Sequence, residues 1–137
     1  MPRIPVFALL LHLLVPAAAT AQHPAEATEL WTGSLFTSTY RVGLCFSPRG
    51  TVRGVLRLRL KNGKVDVYHI AGVTDGNKIE ASHSSGHKFT GRLVSPDRVE
   101  GVIALKNGIK IELDGKREHN ALLIPEDCAP PEENYSN

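Results

Sequence analysis

The residues best placed for chemistry are His83 and His87, which flank Ser84-Ser85-Gly86. If Gly86 takes the left-handed position of a three-residue turn, the two rings face each other with Cβ atoms about 5 Å apart. That separation suits a shared Zn²⁺ or Cu²⁺. The spacing offers no third ligand. His69 is expected on the same inward parity, but about 13 Å away along the strand at ~3.3 Å per residue. Histidines at a sheet rim also serve as plain polar edge residues, so the pair is a weak metal candidate and no cofactor is expected.

A second group is cationic. Arg41, Arg53, Arg57 and Arg59 fall on neighbouring strands with Tyr68 beside them. Guanidinium groups gathered in this way hold a carboxylate, phosphate or sulfate. The plainer reading is a soluble strand face, partly paired with Asp66. A third group is apolar, with Trp31 and Phe89 as the walls of an interior pocket and His69 as a buried, hydrogen-bonded histidine near them. The large branched side chains expected around them are also enough to fill a packed core. Enzymatic signatures are missing: there is no Gly-x-Ser-x-Gly, no His-Glu-x-x-His, no phosphate-cradling glycine loop and no cysteine with a general base. Glu80, Glu100, Glu112 and Asp66 alternate outward as a solvated face would. A non-enzyme is expected.

Strands must position these groups. Thr51–Ala71 reads as a hairpin, and a two-residue type I′ turn at Asn62-Gly63 sets Leu60 against Val65, Leu58 against Val67 and Leu56 against His69. The opposite face then carries Arg59 against Asp66 and Arg57 against Tyr68. A one-residue slip would exchange the two faces. Three-residue turns at Ser84-Ser85-Gly86 and Lys106-Asn107-Gly108 give His83 facing His87, Ala81 facing Phe89, Ile79 facing Gly91, Leu105 facing Ile109 and Ile103 facing Ile111.

In all, eight short alternating runs are expected: 30–37, 40–46, 51–60, 64–71, 78–83, 87–94, 98–105 and 109–113. No long window of the mature chain carries a 3.6 period. The chain is therefore all-β, a small antiparallel up-and-down meander. The repeated apolar-x-Gly-x-apolar pattern at Gly33, Gly54, Gly91 and Gly101 supplies the bends that close such a sheet into a barrel of about eight strands, where an open twisted sheet is the alternative. The expected interior is Trp31, Leu35, Val42, Leu44, Phe46, Leu56, Leu58, Leu60, Val65, Val67, Ile79, Phe89, Leu93, Ile103, Ile109 and Ile111.

Arg3, the apolar run that follows it and the small residues up to Ala21 read as a signal peptide over 1–21, cleaved near Ala21/Gln22. A polar lead-in over 22–29, a barrel over 30–128 and a disordered tail over 129–137 would follow. Asn134-Tyr135-Ser136 matches a glycosylation acceptor. Without Arg3 the net charge is near +1, which gives no bulk signal for nucleic acid. The apolar run is too short to span a bilayer, so no span is expected in the mature chain. Cys45 and Cys128, an even pair in an exported chain, read as one disulfide. Cys45 points outward, so Cys128 would pin a tail across the outside of the barrel. Glu118–Ile124 would be a ninth strand or a strap.

The architecture resembles the broad class of small secreted up-and-down barrels that includes avidin-like and lipocalin-like domains and bacterial hydrolase inhibitors, with no motif matched residue by residue. The expectation is a periplasmic or secreted module that binds a small ligand, another protein or an anionic surface through a barrel end or the basic face. The alternative is a hydrolase inhibitor that inserts a loop, for which Val73–Asn77 is the only turn long enough.

Overall fold

A computed structural model describes residues 26–130; the signal peptide, the glycosylation pattern and residues 131–137 of the expected tail lie outside the described residues. Eight antiparallel strands form a closed barrel in chain order. They are β1 (Ala27–Leu35), β2 (Ser38–Phe46), β3 (Thr51–Arg59), β4 (Val65–Asp75), β5 (Lys78–Ser82), β6 (Lys88–Ser95), β7 (Arg98–Ala104) and β8 (Lys110–His119). β1 begins inside the expected lead-in. β8 runs through Asp114-Gly115, which reads as a turn in sequence, and its extension pairs with β1 from Glu29↔His119 to Thr32↔Lys116. No further strand follows among the described residues: Asn120 to Ile124 strap along the barrel, tied by the Thr28 hydroxyl to the Ala121 carbonyl at 2.8 Å.

Alternation selects the interior. Along β2, Tyr40, Val42 and Leu44 turn inward and are buried, and Trp31, Leu56, Ile70, Ile79, Phe89, Val99 and Leu113 meet them from the other strands. Trp31 packs on Phe89 with ring centroids 5.9 Å apart. Gly91 makes room for it, since a Cβ there would lie 2.6 Å from Trp31 Cζ3.

The hairpins at Ser84-Ser85-Gly86 and Lys106-Asn107-Gly108 take the expected registers: Ala81 faces Phe89, Ile79 faces Gly91 and Ile103 faces Ile111. The β3–β4 hairpin does not. Its loop is also of three residues, with the Leu60 amide donating to the Lys64 carbonyl at 2.8 Å and Gly63 at φ 85°. A type I′ turn needs a positive φ at Asn62 as well as Gly63, and only Gly63 has one. The extra loop residue shifts the ladder by one, so Arg57 faces Val67, Leu56 faces Tyr68 and Val55 faces His69. Tyr68 and Ile70 therefore turn inward, while Val65 and Val67 are exposed and His69 turns outward. Ile109 keeps its expected partner but lies beyond the strand end, exposed at the rim.

The two barrel ends differ. At the end holding the start of β1 and the end of β8, Glu29 is buried and forms an ion pair with Arg117, accepts a hydrogen bond from Trp31 Nε1 at 3.1 Å and lies 3.4 Å from His119 Nδ1. This cluster plugs that end. At the other end, turns at Phe36-Thr37, Lys61–Gly63, Ser84–Gly86 and Asn107-Gly108 surround an opening.

The Cys45–Cys128 disulfide is present. It holds a 3₁₀ turn, Pro125–Cys128, against the outer face of β2 and β3. Val55 and Cys45 point outward yet are buried on that face. Replacing both cysteines with serine frees a loop closed across 83 positions. The expected loss is about 4.5 kcal/mol in the chain-entropy account, read as a lower urea midpoint; an unchanged midpoint would show that the strap holds without its bond.

Candidate functional site

The open end leads into a cavity of about 230 Å³. Its walls are almost wholly apolar: Leu35, Leu56, Leu58, Ile70, Phe89, Ile103, Leu105, Ile111 and Leu113 line it, with Tyr40 and Tyr68. Each comes from the inward parity of its strand, so the alternation that buries the core also builds this wall. Polar character enters at His83, His87 and Lys88, where β5 turns into β6. Phe89 lines the cavity as expected. Trp31 lies beneath it, hydrogen-bonded to Glu29 at the plugged end, and does not reach the cavity.

The two histidines face each other, ring centroids 6.4 Å apart and planes 17° from parallel. Tyr68 sets its edge against both, with centroids at 5.3 Å from His83 and 6.4 Å from His87. Each ring accepts a backbone hydrogen bond at Nδ1: His83 from the Ser85 amide at 3.1 Å, His87 from the Lys106 amide at 3.1 Å. An amide can only donate, so the neutral rings carry their protons on Nε2. A metal would need a lone pair there, and binding it would turn Nδ1 into a donor. The Ser85 hydroxyl, 2.6 Å from His83 Nδ1, can accept that proton, but His87 Nδ1 would face the Lys106 amide, another donor. The expected metal role is therefore opposed by the tautomer that the turn imposes. The rings instead present N–H groups. Burial, then the neighbouring His87 and His69, pushes the His83 pKa down from its ordinary value.

His69 is not in the interior. Its Nε2 lies 3.6 Å from Glu126 Oε1 on the outer face, because the one-residue shift of the β3–β4 ladder reversed its parity. The same shift removes Tyr68 from the expected basic face and brings it to the cavity.

Two of the expected anion-binding arginines, Arg41 and Arg57, do converge, and the carboxylate they share belongs to this chain; Arg53 pairs with a different one. Arg41 meets Asp127 with two hydrogen bonds, at 3.2 and 3.0 Å. Arg57 Nη1 donates to Asp127 at 2.6 Å and its Nη2 to Glu126 at 2.9 Å. Arg53 donates to the Cys128 carbonyl at 2.6 Å and pairs with Glu26 at 2.7 Å. Arg59 stands apart, exposed near the open end. Gly43 seats Asp127: a Cβ there would come within 2.5 Å of the carboxyl carbon.

Glu126 and Asp127 have no role among the expectations from sequence, although both precede the expected tail over 129–137. The signal was available, since pairing Cys128 with Cys45 places Asp127 against the outward neighbours of Cys45, which are Gly43, Arg41 and Arg53. Of the apolar and aromatic cavity residues absent from the expected interior, Tyr68 and Ile70 share one cause, the miscounted turn, while Tyr40, Leu105 and Leu113 stand at the ends of the expected runs.

The chain matches no family model, no curated protein and no solved structure. Its site is therefore read from geometry alone. Among the described residues no group of three metal-ligating side chains gathers, and no helix is long and apolar enough to cross a membrane.

Asp127 supplies a pH signature. Burial by itself would raise its pKa, but hydrogen bonds and charge from Arg41 and Arg57 outweigh burial and hold it below the usual carboxylate value. A carboxylate so held contributes stability that is complete above its unfolded pKa of about 3.9 and is lost as the pH falls below that value. Asp127→Asn leaves two arginines facing a neutral amide and is expected to cost about 3 kcal/mol at pH 7. Urea midpoints measured from pH 7 to pH 3 should fall less steeply for the variant; parallel curves would assign the acid loss to other groups.

Proposed function

We propose that this chain is an exported, non-enzymatic binding protein that takes the apolar part of a small amphipathic anion into the open barrel end. The observation that carries the reading is the cavity, about 230 Å³ in volume and walled mainly by apolar side chains, with its basic groups, His83, His87 and Lys88, where β5 turns into β6. A cavity of ~150 Å³ holds benzene and drug-sized sites run from ~300 Å³. Scaled from benzene, this one takes roughly nine carbon atoms, a single substituted ring or a short acyl chain.

The mouth sets the charge of the other end. Lys88 lines it, the two imidazoles present N–H donors to it, and its lining contains no carboxylate. An anionic group is thus met by donors and a cation, where a cationic group would meet the like charge of Lys88 and no carboxylate. Export is supported by the disulfide, which persists in oxidising compartments. The inhibitor reading has lost its loop, because Val73, Thr74 and Asp75 belong to β4 and only Gly76-Asn77 connect it to β5.

Titration calorimetry with octanoate tests the proposal. Burying about seven methylene and methyl groups at ~0.8 kcal/mol each gives a Kd on the order of 100 µM. Ile103→Trp, which sets an indole across the cavity, should weaken binding at least tenfold while the circular dichroism spectrum is retained. No heat with octanoate, or equal affinity in the variant, would refute the cavity as the site.

The pH dependence separates an anionic from a neutral ligand. His83 is held below its ordinary pKa in the free protein, and an anion bound beside it raises that pKa again. Binding then takes up a proton, so octanoate should bind more tightly as the pH falls from about 8 to about 5.5, above the range in which the ligand's own carboxyl protonates. Octanol should show no such gain. Matching pH profiles for the two would place the head group away from the histidines.

A further inference from the structure

We infer that the open end of the barrel docks on an anionic phospholipid bilayer surface, with Phe36 as the inserted anchor. The inference rests on the proposed cavity only in that the same end would then draw its ligand from the lipid. Phe36 is 92% exposed at the tip of the β1–β2 turn, where nothing in the fold covers it. Its φ is 54°, a left-handed conformation that a bulky L-residue adopts at a steric cost. Residues 36 and 37 connect Leu35 directly to Ser38, and a positive φ at the first position of such a two-residue turn is met without strain by glycine. The chain thus carries strain to display a large apolar side chain in water. Neither feature serves the fold, and an apolar environment supplied from outside rewards the display.

Charge identifies what supplies it. Arg59, Lys61, Lys64, Lys88, Lys106 and Lys110 surround this end, against Asp66 as the single acidic residue of its turns and strand ends. Among the described residues only Lys64 of the six is paired, with Asp66 at 3.5 Å. The plugged end is mixed, with Glu26, Glu29, Asp75, Asp97 and Glu118 among its cations. The excess of positive charge is therefore polarised along the barrel axis, although the whole chain is only +2. Ile109, 55% exposed on the β7–β8 turn, adds apolar surface at the same rim. An exposed aromatic ringed by lysines fits the boundary between anionic headgroups and acyl chains, where the ring enters the hydrocarbon edge and the ammonium groups stay at the headgroups.

The test uses the mature, disulfide-bonded chain and co-sedimentation with two kinds of vesicle, phosphatidylcholine alone and phosphatidylcholine with about one third phosphatidylglycerol. Sedimentation with the anionic vesicles, lost in high salt and absent with phosphatidylcholine alone, is the expected result. The double variant Lys106→Glu and Lys110→Glu should lower the partition at least tenfold, on the scale of about fivefold per basic residue near the surface.

Phe36→Gly is the sharper variant, because strain and display predict opposite effects. It should raise the melting temperature by relieving the turn, and lower the partition about tenfold by removing the anchor. Phe36→Gly should leave octanoate affinity unchanged in the absence of vesicles, since Phe36 does not line the cavity, which keeps docking and pocket binding separately readable. Equal sedimentation of Phe36→Gly and the parent chain, or equal binding to neutral vesicles, would overturn the inference. So would retention of the protein by a soluble protein partner through Phe36 with no affinity for either vesicle.

Discussion

The pairing of β1 with β8, from Glu29 to Thr32, is the contact on which the other features depend. An open eight-stranded meander would leave two unpaired edges and a flat apolar face, and neither survives in water without a cover. Closure satisfies both edges and converts the face into an interior. It also brings Trp31 on β1 beside Arg117 on β8, so that Glu29 can be buried with an ion-pair partner and a hydrogen bond from the indole. One end of the barrel is thereby plugged with charge that is already neutralised. The other end carries no such plug, and the cavity is the consequence.

A second constraint acts on the outer wall. The Cys45–Cys128 bond draws the last described segment onto β2 and β3, where it covers Val55 and buries Asp127 completely. A buried carboxylate is tolerable only when its charge is answered at hydrogen-bond distance, and Arg41 and Arg57 both answer it. What looks in sequence like a surface for external anions is largely occupied by internal ones. Arginine suits the task because its planar fork meets the carboxylate bidentately, as Arg41 does.

The open end combines features that act against simple stability. The histidine rings are oriented by backbone amides of two different turns, Phe36 is held at a positive φ in full exposure, and cations accumulate around an apolar mouth. Strain and uncompensated charge gathered at one place, in a fold otherwise well paired, are expected where a protein meets something else.

The sequence by itself determined the all-β class, the number of strands and the inward set of most strands, because each follows from period-two alternation and local turn chemistry, and it determined the disulfide because the chain holds just two cysteines. The turns at Gly86 and Gly108 could be counted correctly, and their ladders followed. At Asn62-Gly63 the same local signals fit a two-residue or a three-residue loop, and the difference of one residue decides whether Val67 and His69 or Tyr68 and Ile70 enter the core. Both faces of β4 are apolar enough to be buried, so only packing against Leu56, His83 and Phe89 across the closed barrel chose between them. The partners of Arg41 and Arg57 were hidden for a related reason. Asp127 lies 86 residues from Arg41 in the chain, and no periodicity links positions that a disulfide and a barrel wall bring together. Local rules fix which residues alternate; the face that each presents to a ligand or to its own chain is settled only when the barrel closes.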